Sequence, residues 1–168
     1  MSIIQVVKKG TLLQEVGQCP RVAYLVHKGL LRSFFVDEHG KEHTFMFAPE
    51  GWIIADLEAS GFERATRLAI EALEDSEVEV RPMADGIRER GDVESQFKLM
   101  HRRAGALQRR VLMMMSTSAL ERYEFFLETY PELSGRISQK LIASYLGITP
   151  QALSKLRAER VGKQRAGK

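Results

Sequence analysis

Four polar residues near the C-terminal end have side chains that can read the base edges of double-stranded DNA. They are Gln151, Ser154, Lys155 and Arg157. In the major groove an amide pairs with adenine, and a lysine or arginine pairs with guanine. Within one helix these residues would form its outward side, so the sequence predicts a DNA-reading helix with double-stranded DNA as its partner.

The residues before that helix predict a second short helix and a tight turn. Ser138 is placed to cap the first helix and Thr149 the second, with Pro150 at a first helical position, where a missing amide costs nothing. Gly147 supplies the left-handed residue of the turn. Ser138, Gln139 and Thr149 stand at helix starts and are expected to contact phosphates. Inward positions are expected to be filled by Ile142, Ala143, Leu146, Leu153 and Leu156. The alternative is a helical hairpin used only for packing.

The charge of the chain is concentrated at the same end. The last 33 residues hold eight basic side chains and one acidic side chain, whereas the whole chain has a net charge of only +3. This distribution indicates a polyanion as partner. A solubilising tail is the alternative, and the Gly, Lys and Arg content of residues 161–168 predicts that they form a disordered tail.

The N-terminal half has the pattern of an antiparallel β structure. Glycines recur at the spacing typical of short strands joined by turns, and the runs between them are rich in branched and aromatic side chains. Asp37 to Gly40 form a good hairpin turn, because Gly40 can adopt a positive φ. The predicted strands are residues 22–28, 30–36, 42–47, 52–55, 66–72 and 77–81, with Ile3 already strand-like.

The hydrophobic period changes after Pro82, where apolar residues recur at alternating spacings of three and four. The seam comprises Phe97, Met100, Ala104, Leu107, Val111 and Met114. Such a heptad pattern predicts a long helix that pairs with a second copy, so the chain itself is an expected partner. The alternative is an amphipathic helix packed only on its own chain. Ser118 and Glu121 then form a capping box that starts another helix, and Pro131 stops it.

Other classes of protein are disfavoured by what the chain lacks. Cys19 is its single cysteine, which excludes an intrachain disulfide and a thiolate metal site. No segment has the apolar length of a membrane helix or the pattern of a signal peptide, so a cytoplasmic protein is expected. Metal-dependent jelly-roll enzymes share a β architecture of this kind but need clustered ligands. His39 and His43 flank a hairpin near Asp37, but no third ligand is evident. We therefore expect neither a metal site nor an enzyme.

The chain resembles the Crp/Fnr superfamily of transcription regulators over nearly its whole length. The resemblance is carried by residues 29–32, 37–42, 72–78, 121–123 and 142–150. It implies an α+β fold, with a cyclic-nucleotide-binding-like antiparallel β-roll over residues 1–92 and a dimerisation helix over 93–116. A helix-turn-helix domain with a basic tail would follow over 117–168. The implied function is a homodimeric, effector-sensing regulator, with RNA polymerase as a further candidate partner.

The chain departs from the family pattern at the effector pocket. Family members that bind cyclic nucleotides hold ribose and phosphate with a Gly-Glu pair and an Arg-Ser/Thr-Ala segment, whereas this chain has Ala55-Asp56 and Thr66-Arg67-Leu68. The matching stretch of the dimer helix, at Leu107 and Gln108, lacks the hydroxyls that face the base. We therefore expect no cyclic AMP binding, and an unidentified small molecule is the candidate effector. A protein of the same fold that senses a ligand or acts as a scaffold, without binding DNA, is the alternative function.

Overall fold

The computed structural model describes residues 3–83, 93–116 and 118–166. The chain divides into two compact units, the first extending to Gln96 and the second beginning at Phe97.

The first unit is built from short strands that pair throughout in antiparallel fashion. The strands are β1 (Ile3–Val7), β2 (Leu12–Gln14), β3 (Val22–Lys28), β4 (Leu31–Val36), β5 (Glu42–Ala48), β6 (Ile53–Ile54), β7 (Ala69–Ala72) and β8 (Ser76–Pro82). One sheet has the strand order β1-β8-β3-β6 and the other has the order β2-β7-β4-β5. The expected antiparallel β structure is therefore present.

Side chains from both sheets form the core of this unit. Successive residues of a strand point to opposite faces, so every second residue of the central strands enters the core. Its buried members are Tyr24, Val26, Leu31, Ala48, Ile54, Ile70, Ala72 and Val78. Both sheets contribute to this list, which shows that they share a single core.

The predicted hairpin turn joins β4 and β5. The Asp37 carboxylate accepts hydrogen bonds from the backbone amides of His39 (3.0 Å) and Lys41 (2.9 Å), and Gly40 has a φ of 75°. His43 Nε2 lies 2.7 Å from the same carboxylate. Side chain and backbone thus both fix this turn, and the hairpin prediction is confirmed.

Some elements of the first unit differ from the sequence prediction. The strand expected at 66–72 begins only at Ala69, because Thr66 is held by buried side-chain hydrogen bonds. Strand β2 and a short helix, α1 (Leu57–Gly61), were not predicted. Both are shorter than the windows in which hydrophobic periodicity becomes visible.

The second unit is helical. Its helices are α2 (Val93–Ser116), which starts in the last residues of the first unit, then α3 (Ala119–Thr129), a 3-10 turn (Leu133–Gly135), α4 (Gln139–Leu146) and α5 (Pro150–Ala166). The capping box at the start of α3 is present, with the Ser118 hydroxyl and the Glu121 carboxylate each accepting a backbone amide of the other residue. Among the described residues no helix is long and apolar enough to cross a membrane.

The backbone of α5 corrects the expectation of a disordered tail for residues 161–166, whereas residues 167 and 168 lie outside the described residues. The helix continues to Ala166. Arginine, lysine, glutamine and alanine all have high helix propensity, and a single interior glycine costs only about 1 kcal/mol. The Gly, Lys and Arg content of these residues is thus equally compatible with an extension of the preceding helix.

Candidate nucleic-acid interface

Helices α4 and α5 are joined by a turn whose ends are capped as the sequence predicted. Ser138 Oγ accepts the amide of Leu141 at 3.3 Å, and Thr149 Oγ1 accepts the amide of Ala152 at 3.2 Å. Gly147 ends α4 in the left-handed conformation, with φ 68° and ψ 30°. A residue with a side chain adopts this conformation only at a cost, so glycine suits the turn.

The inward side of the two helices is apolar and closely packed. Ile142, Ala143, Leu146 and Leu153 are buried, and Leu156 is half-buried. Because Ala143 is small, it leaves room for a neighbouring helix at close range.

The opposite side of α5 is polar and open to solvent. Gln151, Ser154 and Lys155 are exposed, at the spacing that places residues on one side of a helix. Arg157 is half-buried and lies between this side and the core. We name Gln151, Ser154 and Lys155 the polar face of α5. The predicted base contacts therefore separate into an exposed group of three and a flanking arginine.

One predicted phosphate contact lies against this face. Ser154 Oγ donates a hydrogen bond to Oε1 of Gln139, the first residue of α4, at 3.0 Å. Because the oxygen of the Gln139 amide accepts from Ser154, its NH₂ group retains two donors for another acceptor. The structure thus brings Gln139 next to the polar face. Gln139 and Ser154 are 15 residues apart in the sequence, so the sequence gives no sign that they are in contact.

The other two predicted phosphate contacts have their hydroxyl oxygens engaged as caps. A hydroxyl that accepts from a backbone amide still has its own hydrogen to donate. Ser138 and Thr149 are exposed at the starts of α4 and α5, where amide dipoles favour an anion. Their cap geometry is compatible with a phosphate contact at each helix start.

Two of the predicted effector-pocket residues form a buried hydrogen-bonded cluster of the first unit. Asp56 Oδ1 accepts the amide of Ala59 at 2.9 Å and caps α1, and its Oδ2 accepts from the Thr66 hydroxyl. Gln14 Nε2 donates to Thr66 Oγ1 at 3.2 Å. Asp56, Thr66 and Gln14 are each at most 5 % exposed. Asp56 and Thr66 are thus bonded to each other, and Gln14 joins them through Nε2, whereas its Oε1 is buried without a hydrogen-bond partner.

The remaining predicted pocket residues are not part of that cluster. Ala55 is half-buried, and the exposed guanidinium of Arg67 lies 3.7 Å from the Glu58 carboxylate. Leu107 and Gln108 are exposed residues of the second unit.

The heptad seam of α2 is exposed where its side chains are described. The exposed fractions are 62 % for Phe97, 41 % for Leu107, 55 % for Val111 and 42 % for Met114, and Ala104 is also exposed. The side chain of Met100 lies outside the described residues. Burial of apolar area is favourable, so a row of this kind is a surface that can associate.

The histidines considered as metal ligands lie in the β4–β5 hairpin. His43 pairs with Asp37 and stacks on Phe35 with 4.9 Å between ring centroids, whereas His39 lies beside Glu38. Within the part of the chain that the structure describes, no three His, Cys, Asp or Glu side chains are grouped as metal ligands would be.

Sequence reasoning missed that α2 lies close to α4 and to the turn that follows it. The guanidinium of Arg110 lies 3.8 Å from the ring centroid of Tyr145 in α4. A Cβ added to Gly147 would lie 3.4 Å from Cε of Met114. Both distances join residues more than 30 positions apart, and the spacing of residue types within one element carries no signal for them.

Comparisons with known proteins identify the fold. No protein-family model and no curated protein matches the sequence. Among solved structures, FixK2 from Bradyrhizobium japonicum has a TM-score of 0.74 and 22 % identity, covering 98 % of this chain and 86 % of FixK2. A CooA double mutant from Carboxydothermus hydrogenoformans has a TM-score of 0.71 and 20 % identity, covering 94 % and 75 %. A Crp/Fnr-family transcriptional regulator from Thermus thermophilus has a TM-score of 0.68 and 20 % identity, covering 96 % and 87 %.

Proposed function

We propose that this chain, which has the fold of the Crp/Fnr transcription regulators, is itself a homodimeric DNA-binding transcription regulator. The observation that carries the proposal is the exposed polar face of α5, held by a doubly capped turn in the most basic segment of the chain. Contact with RNA polymerase stays a prediction from the family resemblance.

The chemistry of the polar face supports the major groove as its target. Gln151 and Lys155 are exposed on the same side of α5, one turn apart. An amide and an ammonium at this spacing can contact neighbouring base pairs, while Gln139 and the capped helix starts contact phosphates. Base readout and phosphate positioning would thus come from adjacent residues of one helix pair.

The exposed seam of α2 supports a dimer. Leu107, Val111 and Met114 follow one another at spacings of four and three, as in a coiled coil. Two copies related by a twofold axis would bury these residues against each other. A dimer also suits DNA readout, since two reading helices would then meet two half-sites about one helical turn apart.

The buried cluster of the first unit supports a regulator that does not bind cyclic AMP. Asp56 and Thr66 stand where cyclic-nucleotide binders of the family hold ribose and phosphate, and here they bond to each other. A ligand at these two groups would have to displace buried hydrogen bonds, which is costly. Calorimetry on the purified chain is expected to show no cyclic AMP binding, and micromolar affinity would contradict this part of the proposal.

DNA binding is tested by selecting genomic fragments with the purified dimer at low salt. We expect specific fragments to be enriched, with an affinity that falls steeply as salt rises, because phosphate contacts release counterions. Lys155→Ala should weaken binding to a selected duplex by about tenfold or more and change the recovered sequences. Lys41→Ala removes the same charge from the exposed β4–β5 hairpin and should change neither.

The result that would overturn the proposal is a folded, dimeric preparation that retains no fragment at low salt. That outcome would favour the alternative of a ligand-sensing or scaffold protein with this fold.

Dimerisation is tested by placing a charge in the seam. Val111→Glu should weaken the dimer by about 100-fold or more in sedimentation equilibrium, because an unpaired carboxylate would be buried in each copy. Ala106→Glu adds the same side chain at an exposed position of the same helix outside the seam and should leave the dimer intact. Equal effects of the two variants, or a monomeric wild-type chain, would contradict the role of the seam.

A further inference from the structure

The C-terminal half of α2 contacts α4 through a buried aromatic ring. The Arg110 guanidinium lies over the ring of Tyr145, 3.8 Å from its centroid. Tyr145 is 2 % exposed and packs against Phe126 and Tyr130, with 5.6 Å between ring centroids in each case. Because other aromatic rings surround Tyr145, a change in the position of Arg110 relative to this ring would require the cluster to repack.

Tyr145 lies close to the residues that set the direction of α5. It precedes the left-handed Gly147 by two positions, and α5 begins at Pro150. The hydrogen bond between Gln139 and Ser154 joins the other end of α4 to α5. The two helices and their turn are therefore connected at both ends, so a residue that fixes α4 relative to α2 also fixes the polar face of α5.

Arg110 is adjacent in sequence to Val111, a residue of the exposed seam. The helix backbone holds these two side chains at a fixed angle about 100° apart. In a dimer formed through the seam, the packing of Val111 would fix the distance of α2 from the twofold axis. The contact between Arg110 and Tyr145 would then fix the distance of α4 from the same axis.

We propose that Arg110 is a positioning residue that sets the separation and angle of the two α5 helices in the dimer, and thereby the spacing of half-sites that the dimer accepts. This inference rests on the proposed function. It adds a determinant of operator geometry that touches no DNA.

The neighbouring residue provides a matched control. Arg109 is exposed, lies 4.7 Å from the ring centroid of Phe125 and pairs with Glu128 at 2.9 Å. It therefore makes the same kind of cation–aromatic contact from the same helix, but with α3 instead of α4. Arg109→Met and Arg110→Met each remove one guanidinium and retain an unbranched side chain.

The first measurement needs no DNA. A spin label is attached to α5 at Ala158→Cys in a Cys19→Ser background. The distance between the two labels of the dimer is then measured by pulsed electron paramagnetic resonance. We expect a narrow distribution for the parent protein and for Arg109→Met. Arg110→Met should shift or broaden it, and Arg110→Lys should restore it in part, because an ammonium also binds an aromatic face.

The second measurement uses duplexes that carry a selected operator with its original spacing or with two base pairs inserted between the half-sites. Two base pairs rotate one half-site by about 70°, so wild type and Arg109→Met should lose about tenfold or more in affinity. Arg110→Met should lose less than about threefold on the same insertion. Its affinity for a single half-site should stay within about threefold of wild type.

The outcomes separate this inference from the proposed function. An unchanged distance distribution and spacing preference in a folded, dimeric Arg110→Met protein would overturn the inference alone. Equal loss on every duplex, single half-site included, would also overturn it, since a purely structural role predicts that result. A distance distribution sensitive to Arg110 in a dimer that binds no DNA would overturn the proposed function and leave the positioning role supported. A monomeric wild-type chain would overturn both.

Discussion

Replacing Gly147 by alanine tests the geometry of the turn between α4 and α5. With φ at 68° and ψ at 30°, an alanine here would adopt a left-handed conformation that costs about 1–2 kcal/mol. Lower entropy of the unfolded chain offsets about 0.4–1 kcal/mol of this cost. The new Cβ would lie 3.4 Å from Cε of Met114, an ordinary van der Waals contact that adds no clash. We therefore expect Gly147→Ala to lower the free energy of unfolding by about 1 kcal/mol.

Urea unfolding, monitored by the far-ultraviolet circular dichroism signal of α-helices, measures this change in the helical unit. A loss of about 1 kcal/mol moves the urea midpoint down by about 0.3–1 M. The single tryptophan, Trp52, lies in the first unit, so its fluorescence reports separately on the β structure. Its transition should not move unless the two units unfold together.

Two further variants make the experiment specific to the left-handed conformation. Gly135 has no positive φ, and a Cβ added there would meet nothing within 4 Å, so Gly135→Ala should leave stability unchanged or slightly higher. Gly147→Asn should recover part of the loss, because asparagine tolerates this conformation better than alanine does. The reasoning is refuted if Gly147→Ala proves as stable as wild type.

Three other variants test local interactions. Ser118→Ala removes the first half of the capping box and should lower the free energy of unfolding by about 1 kcal/mol in urea titrations. Phe126→Ala empties a site that is fully buried and should cost about 3–5 kcal/mol in the same assay. The hydrogen bond from His43, aided by backbone amides, lowers the pKa of Asp37 to about 2. A carboxyl whose pKa is lowered by folding stabilises the folded state at pH values above its ordinary pKa near 3.8. This contribution is lost as the pH falls toward 2. Asp37→Asn should therefore destabilise the first unit at pH 7, with the difference from wild type vanishing near pH 2 in Trp52-monitored unfolding.

The features that the sequence predicted well depend on neighbouring residues. Thr149 followed by a proline, Ser118 followed by Glu121, and Gly147 after an apolar run each specify a backbone conformation within a few positions. The hairpin at Gly40 is of the same kind. Such signals do not need knowledge of the tertiary structure, and for that reason the helix starts and the turn were predicted to within one residue.

The roles of Asp56 and Thr66 could not be settled in this way. The family resemblance placed both at an effector pocket, whereas their carboxylate and hydroxyl are bonded to each other and buried. The partner that completes the cluster, Gln14, lies 52 positions before Thr66. A pattern of residue types does not show whether a polar side chain serves a ligand or a neighbour, because both uses need the same chemistry.

The pattern of burial along α2 bears on whether this helix packs only on its own chain. A helix of that kind should bury its apolar residues on one side, and Met113, at 5 % exposed, fits this expectation. Val111 and Leu107 do not fit, since each keeps at least two fifths of its surface exposed. Among the described side chains of α2, Met113 is thus buried, whereas Leu107 and Val111 are open to solvent. Leu107 and Val111 belong to the heptad seam, so their exposure fits the proposed dimer.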